Sequence, residues 1–197
     1  MMFGNLIMPS GFYQEFRLKI HDALMKPNSR IIQAATEFSK KFGRNYGNGL
    51  IQEYKMSDAN VGVIIYGDLA LQMEDAVDQA RDEGYKVGMV KLRHFRPFPT
   101  EDIINISKRI SLLGVVDRAT AFGSLTGGPV SCEVKAALHD VKGTAKILPI
   151  INGLGGREVT LEQQKEQLRT LVKLNETGEA PEDMIHGTYW DGLLEGK

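Results

Sequence analysis

The chain has 197 residues, 42% hydrophobic and 25% charged, enough length and apolar content to bury a core, so disorder throughout is excluded. Its 24 basic and 25 acidic side chains leave a net charge of −1, which excludes a global field drawing nucleic acid or anionic membrane. A lone cysteine, Cys132, excludes an intrachain disulfide, an all-cysteine zinc site and a four-thiolate iron–sulfur cluster built by this chain alone.

Residues 1–57 carry 8 basic and 4 acidic side chains, a net of +4. Residues 58–174 carry 15 of each, and residues 175–197 carry 1 basic and 6 acidic, a net of −5. These zones divide the chain into a helical arm (1–57), an α/β domain (58–174) and an acidic C-terminal tail (175–197). The N-terminus lacks a basic n-region, and its apolar stretch Leu6-Ile7-Met8 stops at Pro9, unlike a signal peptide. The longest apolar runs are strand-sized, far below a bilayer span. The expectation is a cytoplasmic protein with no nucleic-acid or membrane partner, in which the sequons at Asn105 and Asn175 are chance matches.

In the arm, Phe12, Phe16, Ile20, Ala23 and Leu24 fall at helical spacing up to Pro27. A second helix follows, with Ser29 as N-cap and Gly43 closing it. Both are too short to be stable alone in water, so their apolar faces must pack on the core or on a partner. Val61–Tyr66 then reads as a strand, Leu69–Glu83 as a helix stopped by Gly84, and Lys86–Leu92 as a strand. Thr100 caps a helix through Arg109, and Leu112–Val116 is a third strand. Pro129 opens a helix to about Val141, and Lys146–Ile151 is a fourth strand. Thr160 caps a helix to about Leu174, with Gln163 at the capping-box position. Strand–helix alternation with apolar strands predicts a three-layer α/β/α domain with a mostly parallel sheet. The tail has no sustained period. Its apolar Tyr189, Trp190, Leu193 and Leu194 leave two readings open, a partly disordered terminus and a docking segment.

In such sheets, functional residues gather beyond the strand carboxyl ends. Four loops fall there. Gly67-Asp68 lacks a dinucleotide fingerprint and reads as a tight turn with Asp68 capping a helix. Arg93-His94-Phe95-Arg96-Pro97-Phe98-Pro99 is stiffened by its prolines. It reads either as an anion or subunit grip, or as a rigid corner with Phe95 and Phe98 over the core. Asp117-Arg118 precedes Gly123, Gly127 and Gly128 at a helix start, which suits either phosphate binding by backbone N–H groups or close packing against another chain. Cys132, in that helix's first turn, reads as a small buried residue. Asn152-Gly153-Leu154-Gly155-Gly156-Arg157 again departs from the fingerprint. Arg157 reads as an anion or interface contact, or as a solvated side chain. His21, His94, His139 and His186 are isolated in sequence, and no nucleophile–base constellation is visible. The candidates are therefore interface or anion-binding residues, with none assigned to catalysis or to a metal.

Together these segments resemble one family. Val87–Leu92 with Arg93–Pro99, Val115-Val116-Asp117-Arg118 with Phe122-Gly123, Glu133–Leu138, and Asn152–Arg157 with Glu158-Val159-Thr160 are similar to the C-terminal, transketolase-C-terminal-like domain of the alpha subunit of pyruvate:ferredoxin oxidoreductase and related 2-oxoacid:acceptor oxidoreductases. Gly4–Pro9, Tyr13–Arg17 and Phe42–Gly47 resemble the stretch preceding that domain. Asp68-Leu69 departs from it, where relatives carry a small-residue turn, which counts against an anion site there. The resemblance implies a structural and interface component of a multi-subunit enzyme that forms acyl-CoA and CO2 from a 2-oxoacid, pyruvate first among them. It implies thiamine diphosphate, [4Fe–4S] clusters and coenzyme A in the complex, none bound by this chain alone. It also implies a thiamine-binding subunit and a ferredoxin-like subunit as partners. The alternative is a stand-alone module binding coenzyme A or a nucleotide.

Overall fold

A computed structural model describes residues 13–194. Phe12 and the stretch Gly4–Pro9 lie outside the described residues. The elements are α1 (Tyr13–Met25), α2 (Asn28–Phe42), β1 (Ile51–Tyr54), β2 (Val61–Tyr66), α3 (Leu69–Asp82), β3 (Val87–Leu92) and α4 (Thr100–Ser107). There follow β4 (Leu112–Asp117), α5 (Pro129–Leu138), β5 (Lys146–Ile151), a 3-10 turn (Leu154–Gly156), α6 (Leu161–Thr177), β6 (Met184–Ile185) and β7 (Thr188–Trp190).

All seven strands join one sheet in the order β1-β3-β2-β4-β5-β7-β6. The inner pairings β3–β2, β2–β4, β4–β5 and β5–β7 are parallel. The edge strands β1 and β6 pair antiparallel with β3 and β7. Val61–Ile65 and Leu112–Asp117 are buried without interruption, because helices cover both faces. Under α3 and α6, Met73, Ala76, Leu168 and Leu171 pack on Val63, Met89 and Ile150. Under α4 and α5, Ile103, Ile106, Val130 and Val134 pack on Ile64, Val90 and Val115. Each fully buried aliphatic side chain contributes about 1.5–3 kcal/mol. The α/β/α architecture expected from the sequence is the one observed.

Local signals set most helix ends. Thr160 Oγ1 accepts from the Gln163 N–H at 3.2 Å while Gln163 Oε1 accepts from the Thr160 N–H at 2.8 Å, a complete capping box. Gly43, at φ 66°, closes α2 by donating to the Ser39 carbonyl at 2.8 Å. Several boundaries differ from the sequence reading. α2 starts at Asn28 rather than after Ser29, because the Pro27 carbonyl already accepts the Ile31 N–H at 2.9 Å. α5 ends at Leu138, where the Val141 N–H folds back onto the Leu138 carbonyl. α6 runs on to Thr177 before Gly178 stops it. Three strands were not expected: β1, at the end of the arm, and the β6–β7 hairpin, in the tail.

α1 buries none of its residues, and Tyr13, Phe16, Ile20 and Leu24 are all exposed. α2 rests on the domain through Ile31 and Ala35, which meet Gly49. Among the described residues no helix is long and apolar enough to cross a membrane.

Candidate functional site

Because β2, β3, β4 and β5 run parallel, their carboxyl ends and the four candidate loops share one edge of the sheet. Chain growth reverses direction between β2 and β4, the kind of switch point beside which ligands of such sheets collect.

At the first loop, Asp68 caps α3 by accepting from the Leu69 N–H at 3.0 Å. It also accepts from Arg118 Nη1 at 3.0 Å, which ties the β2 loop to the β4 loop. The Leu69 N–H and then the Arg118 charge hold the Asp68 carboxyl below its ordinary range.

Asp117 ends β4 and is fully buried. Its carboxylate accepts from the N–H groups of Val130 and Ser131, each at 3.0 Å, and from Ser131 Oγ at 2.8 Å. Burial raises its pKa, and those three hydrogen bonds oppose the rise. The N–H groups at the start of α5, the natural seat for a phosphate, are thus occupied by the chain's own carboxylate. Gly128 is where the backbone must pass this carboxylate: a Cβ there would fall inside contact distance of Asp117 Cγ and of the Ala119 carbonyl. Gly127 is buried against Pro149 and Thr188, whereas Gly123 lies in the open part of the loop. That open part exposes Phe122 and Leu125 to 95% and 85%. Cys132 is half-buried, its Sγ 2.8 Å from Thr126 Oγ1.

In the β3 loop, Arg96 donates to Glu133 Oε1 at 2.5 Å and lies over the Phe95 ring, with 4.2 Å to the centroid. Phe95 meets Phe98 edge-on at 6.4 Å. Phe98 packs against the core, but Phe95 is exposed. Arg93 turns the other way, toward the arm, 5.5 Å from the Tyr46 ring centroid. Between these loops and α5 lies a cleft of about 370 Å³ lined by Tyr66, Leu92, Arg93, Phe95, Pro129 and Val130. Burial, then the Asp117 charge, raises the pKa of the Tyr66 hydroxyl.

In the β5 loop, Gly153 packs under Arg118, while Gly155 and Gly156 are exposed in the 3-10 turn. Arg157 donates to the Gly192 carbonyl at 2.5 Å, so it binds the chain's own tail. The structure therefore joins Asp68, Arg118 and Gly153 in one contact group. It keeps Arg157 apart from them and aims Arg93 and Arg96 in different directions.

Sequence reading missed a polar knot beneath this edge. Asp191 accepts from Gln167 Nε2 at 2.6 Å and from the Tyr189 hydroxyl at 3.3 Å, with Asn152 beside it. Burial raises the Asp191 pKa against those contacts. It also missed Arg44 and Tyr46 as companions of Arg93. No local spacing signals either grouping, since the partners lie on separate elements. Among the described residues no three His, Cys, Asp or Glu side chains gather as a metal site.

A family model, the pyruvate:ferredoxin oxidoreductase core domain II, matches residues 59–164, which is more than half of the chain. The chain belongs to this family. It is 38% identical over 190 residues to pyruvate synthase subunit PorA of Pyrococcus horikoshii, covering 96% of this chain and 46% of that one. It is 34% identical over 181 residues to ketoisovalerate oxidoreductase subunit VorA of the same organism, covering 92% and 45%. The chain thus spans about half the length of the curated relatives it matches. Among solved structures, a 2-oxoglutarate:ferredoxin oxidoreductase from Magnetococcus marinus aligns with 68% of this chain and 20% of its own, at 17% identity and a TM-score of 0.46. Within the core domain II match lie the β2, β3, β4 and β5 loops described above.

Proposed function

We propose that this chain is the domain II portion of an alpha subunit in a multi-subunit 2-oxoacid:ferredoxin oxidoreductase that forms acyl-CoA and CO2, with pyruvate as its 2-oxoacid. The observation that carries this reading is the 38% identity to a pyruvate synthase subunit across 96% of the chain. We assign the chain a structural and interface role in the cytoplasm.

Its residues fit that role better than they fit the cofactors of such a complex. A [4Fe–4S] cluster needs about four thiolates, and the chain has one cysteine. A diphosphate has no free seat at α5, because Asp117 holds the N–H groups there. Thiamine diphosphate, the clusters and coenzyme A would therefore be held mainly by other chains, a thiamine-binding subunit and a ferredoxin-like subunit. The surfaces offered to them are the unburied apolar stripe of α1, the Phe122–Leu125 tip beside Gly123, and the outward Phe95–Arg96 corner. Side chains this apolar and this exposed mark contact surfaces.

Deletion of residues 1–26 removes α1 and leaves β1 in the sheet. The shortened chain should fold with an unchanged thermal midpoint yet lose co-elution with its partner subunits on size exclusion. Full co-elution without α1 would remove the arm from the interface.

A further inference from the structure

Two arginines and a histidine converge beside α2 on elements far apart in sequence. Arg44 follows the cap of α2, and Arg93 and His94 follow β3. With Phe38 and Tyr46 they line a second cleft, also about 370 Å³, against Ala35. Five surface arginines are answered by carboxylates: Arg81 by Asp58, Arg96 by Glu133, Arg109 by Glu53, Arg118 by Asp68 and Arg169 by Glu83. Among the described residues Arg44, Arg93 and His94 have no such partner, and the lining of the cleft contains no carboxylate.

The site is held rigidly. The Arg93 and His94 N–H groups both donate to the Leu50 carbonyl, at 2.9 and 3.2 Å. Asn48 Oδ1 accepts from the N–H groups of Leu50 and Ile51 at 3.0 and 2.9 Å, and Asn48 Nδ2 donates to Asp102 at 2.9 Å. Gly49, at φ 90°, leaves no room for a Cβ between itself and Ala35, so α2 can sit directly on this turn. Tyr46 is 6.1 Å from Phe38 and carries Arg93 over its ring.

Guanidinium forks match phosphate oxygens, and the side chains of Arg44 and Arg93 line the same cleft. Aromatic faces beside them suit a flat ring. The cleft is concave, of a size that takes a small ligand, and it lies beyond the carboxyl end of β3, where ligands of such sheets collect. We propose that this cleft binds a nucleoside phosphate, with Arg44, Arg93 and His94 on the phosphates and the Phe38–Tyr46 pair against the base. An acidic peptide would satisfy the cations but leave the ring pair and the concavity unexplained.

The test is titration calorimetry of the full chain with ADP, with inorganic phosphate and with a glutamate-rich peptide, in low and moderate salt. ADP should bind saturably below millimolar, at least tenfold tighter than phosphate, and weaken as salt rises. Arg44→Gln and Arg93→Gln should each weaken ADP tenfold or more with unchanged thermal midpoints. Tyr46→Leu should weaken ADP but not phosphate, and Arg109→Gln should change nothing. A blank at millimolar ADP, equal affinity for ADP and phosphate, or tighter binding of the peptide would each overturn the proposal. The assay needs no partner subunit, so its failure and the failure of the assembly reading are separate results.

Discussion

Asp117 closes β4 and turns its carboxylate onto the first N–H groups of α5, where three hydrogen bonds receive it. Asp117→Ala would strand those buried donors and uncap α5, so urea denaturation should show a loss of about 2–4 kcal/mol. Gly128→Ala should cost about 1–3 kcal/mol in the same assay, because the added methyl meets backbone and Asp117 rather than a yielding side chain. Asp191 presents the opposite case. Its raised pKa means that the folded chain holds the proton more tightly than the unfolded chain. Stability therefore falls as pH rises from the ordinary carboxylate value through the raised one. Asn at this position can still accept from Gln167 and carries no charge to desolvate. Asp191→Asn should therefore gain stability relative to the parent as pH rises from 4 to 8, read from thermal midpoints across that range. A shift of equal size at both pH values would contradict the assignment. Asp68, Glu83 and Glu162 are lowered by backbone and arginine partners, so their contribution is present above the ordinary value and fades as pH falls.

At the scale of elements, burial separates α6 from α1. Leu171 is fully buried and fills the space that Gly114 leaves over β4, so Leu171→Ala should cost about 2–5 kcal/mol. Ile20 is exposed on α1, so Ile20→Ser should stay within about 0.5 kcal/mol of the parent chain while weakening assembly. Equal losses from the two substitutions would show that α1 packs on the core. The four long strands and the main helices were legible because their apolar runs, caps and stops agree locally. The edge strand β1 was not, since Ile51–Tyr54 is four residues long and finds its partner β3 far along the chain. The β6–β7 hairpin is shorter still, two and three residues turned at His186-Gly187. The site was legible as four loops on one edge, because strand order alone puts them there. Which way each side chain faces was not legible. Asp117 points inward to α5, Arg157 to the tail and Arg93 to Tyr46, and each direction is set by a partner on another element.

At the scale of the molecule, a sheet covered on both faces carries helices and loops that the fold itself does not use. α1 buries nothing, Phe122 and Leu125 stand in solvent, and the chain matches 46% of the length of a pyruvate synthase subunit. These exposed apolar surfaces fit the proposed role of a domain that makes further contacts within a larger assembly. The direct test is native purification of the tagged full chain from its own cells, with mass spectrometry of what accompanies it. The account predicts co-recovery of a thiamine-binding subunit and a ferredoxin-like subunit in fixed proportion to the chain. Recovery of the chain by itself, as a monomer or a homodimer, would contradict it.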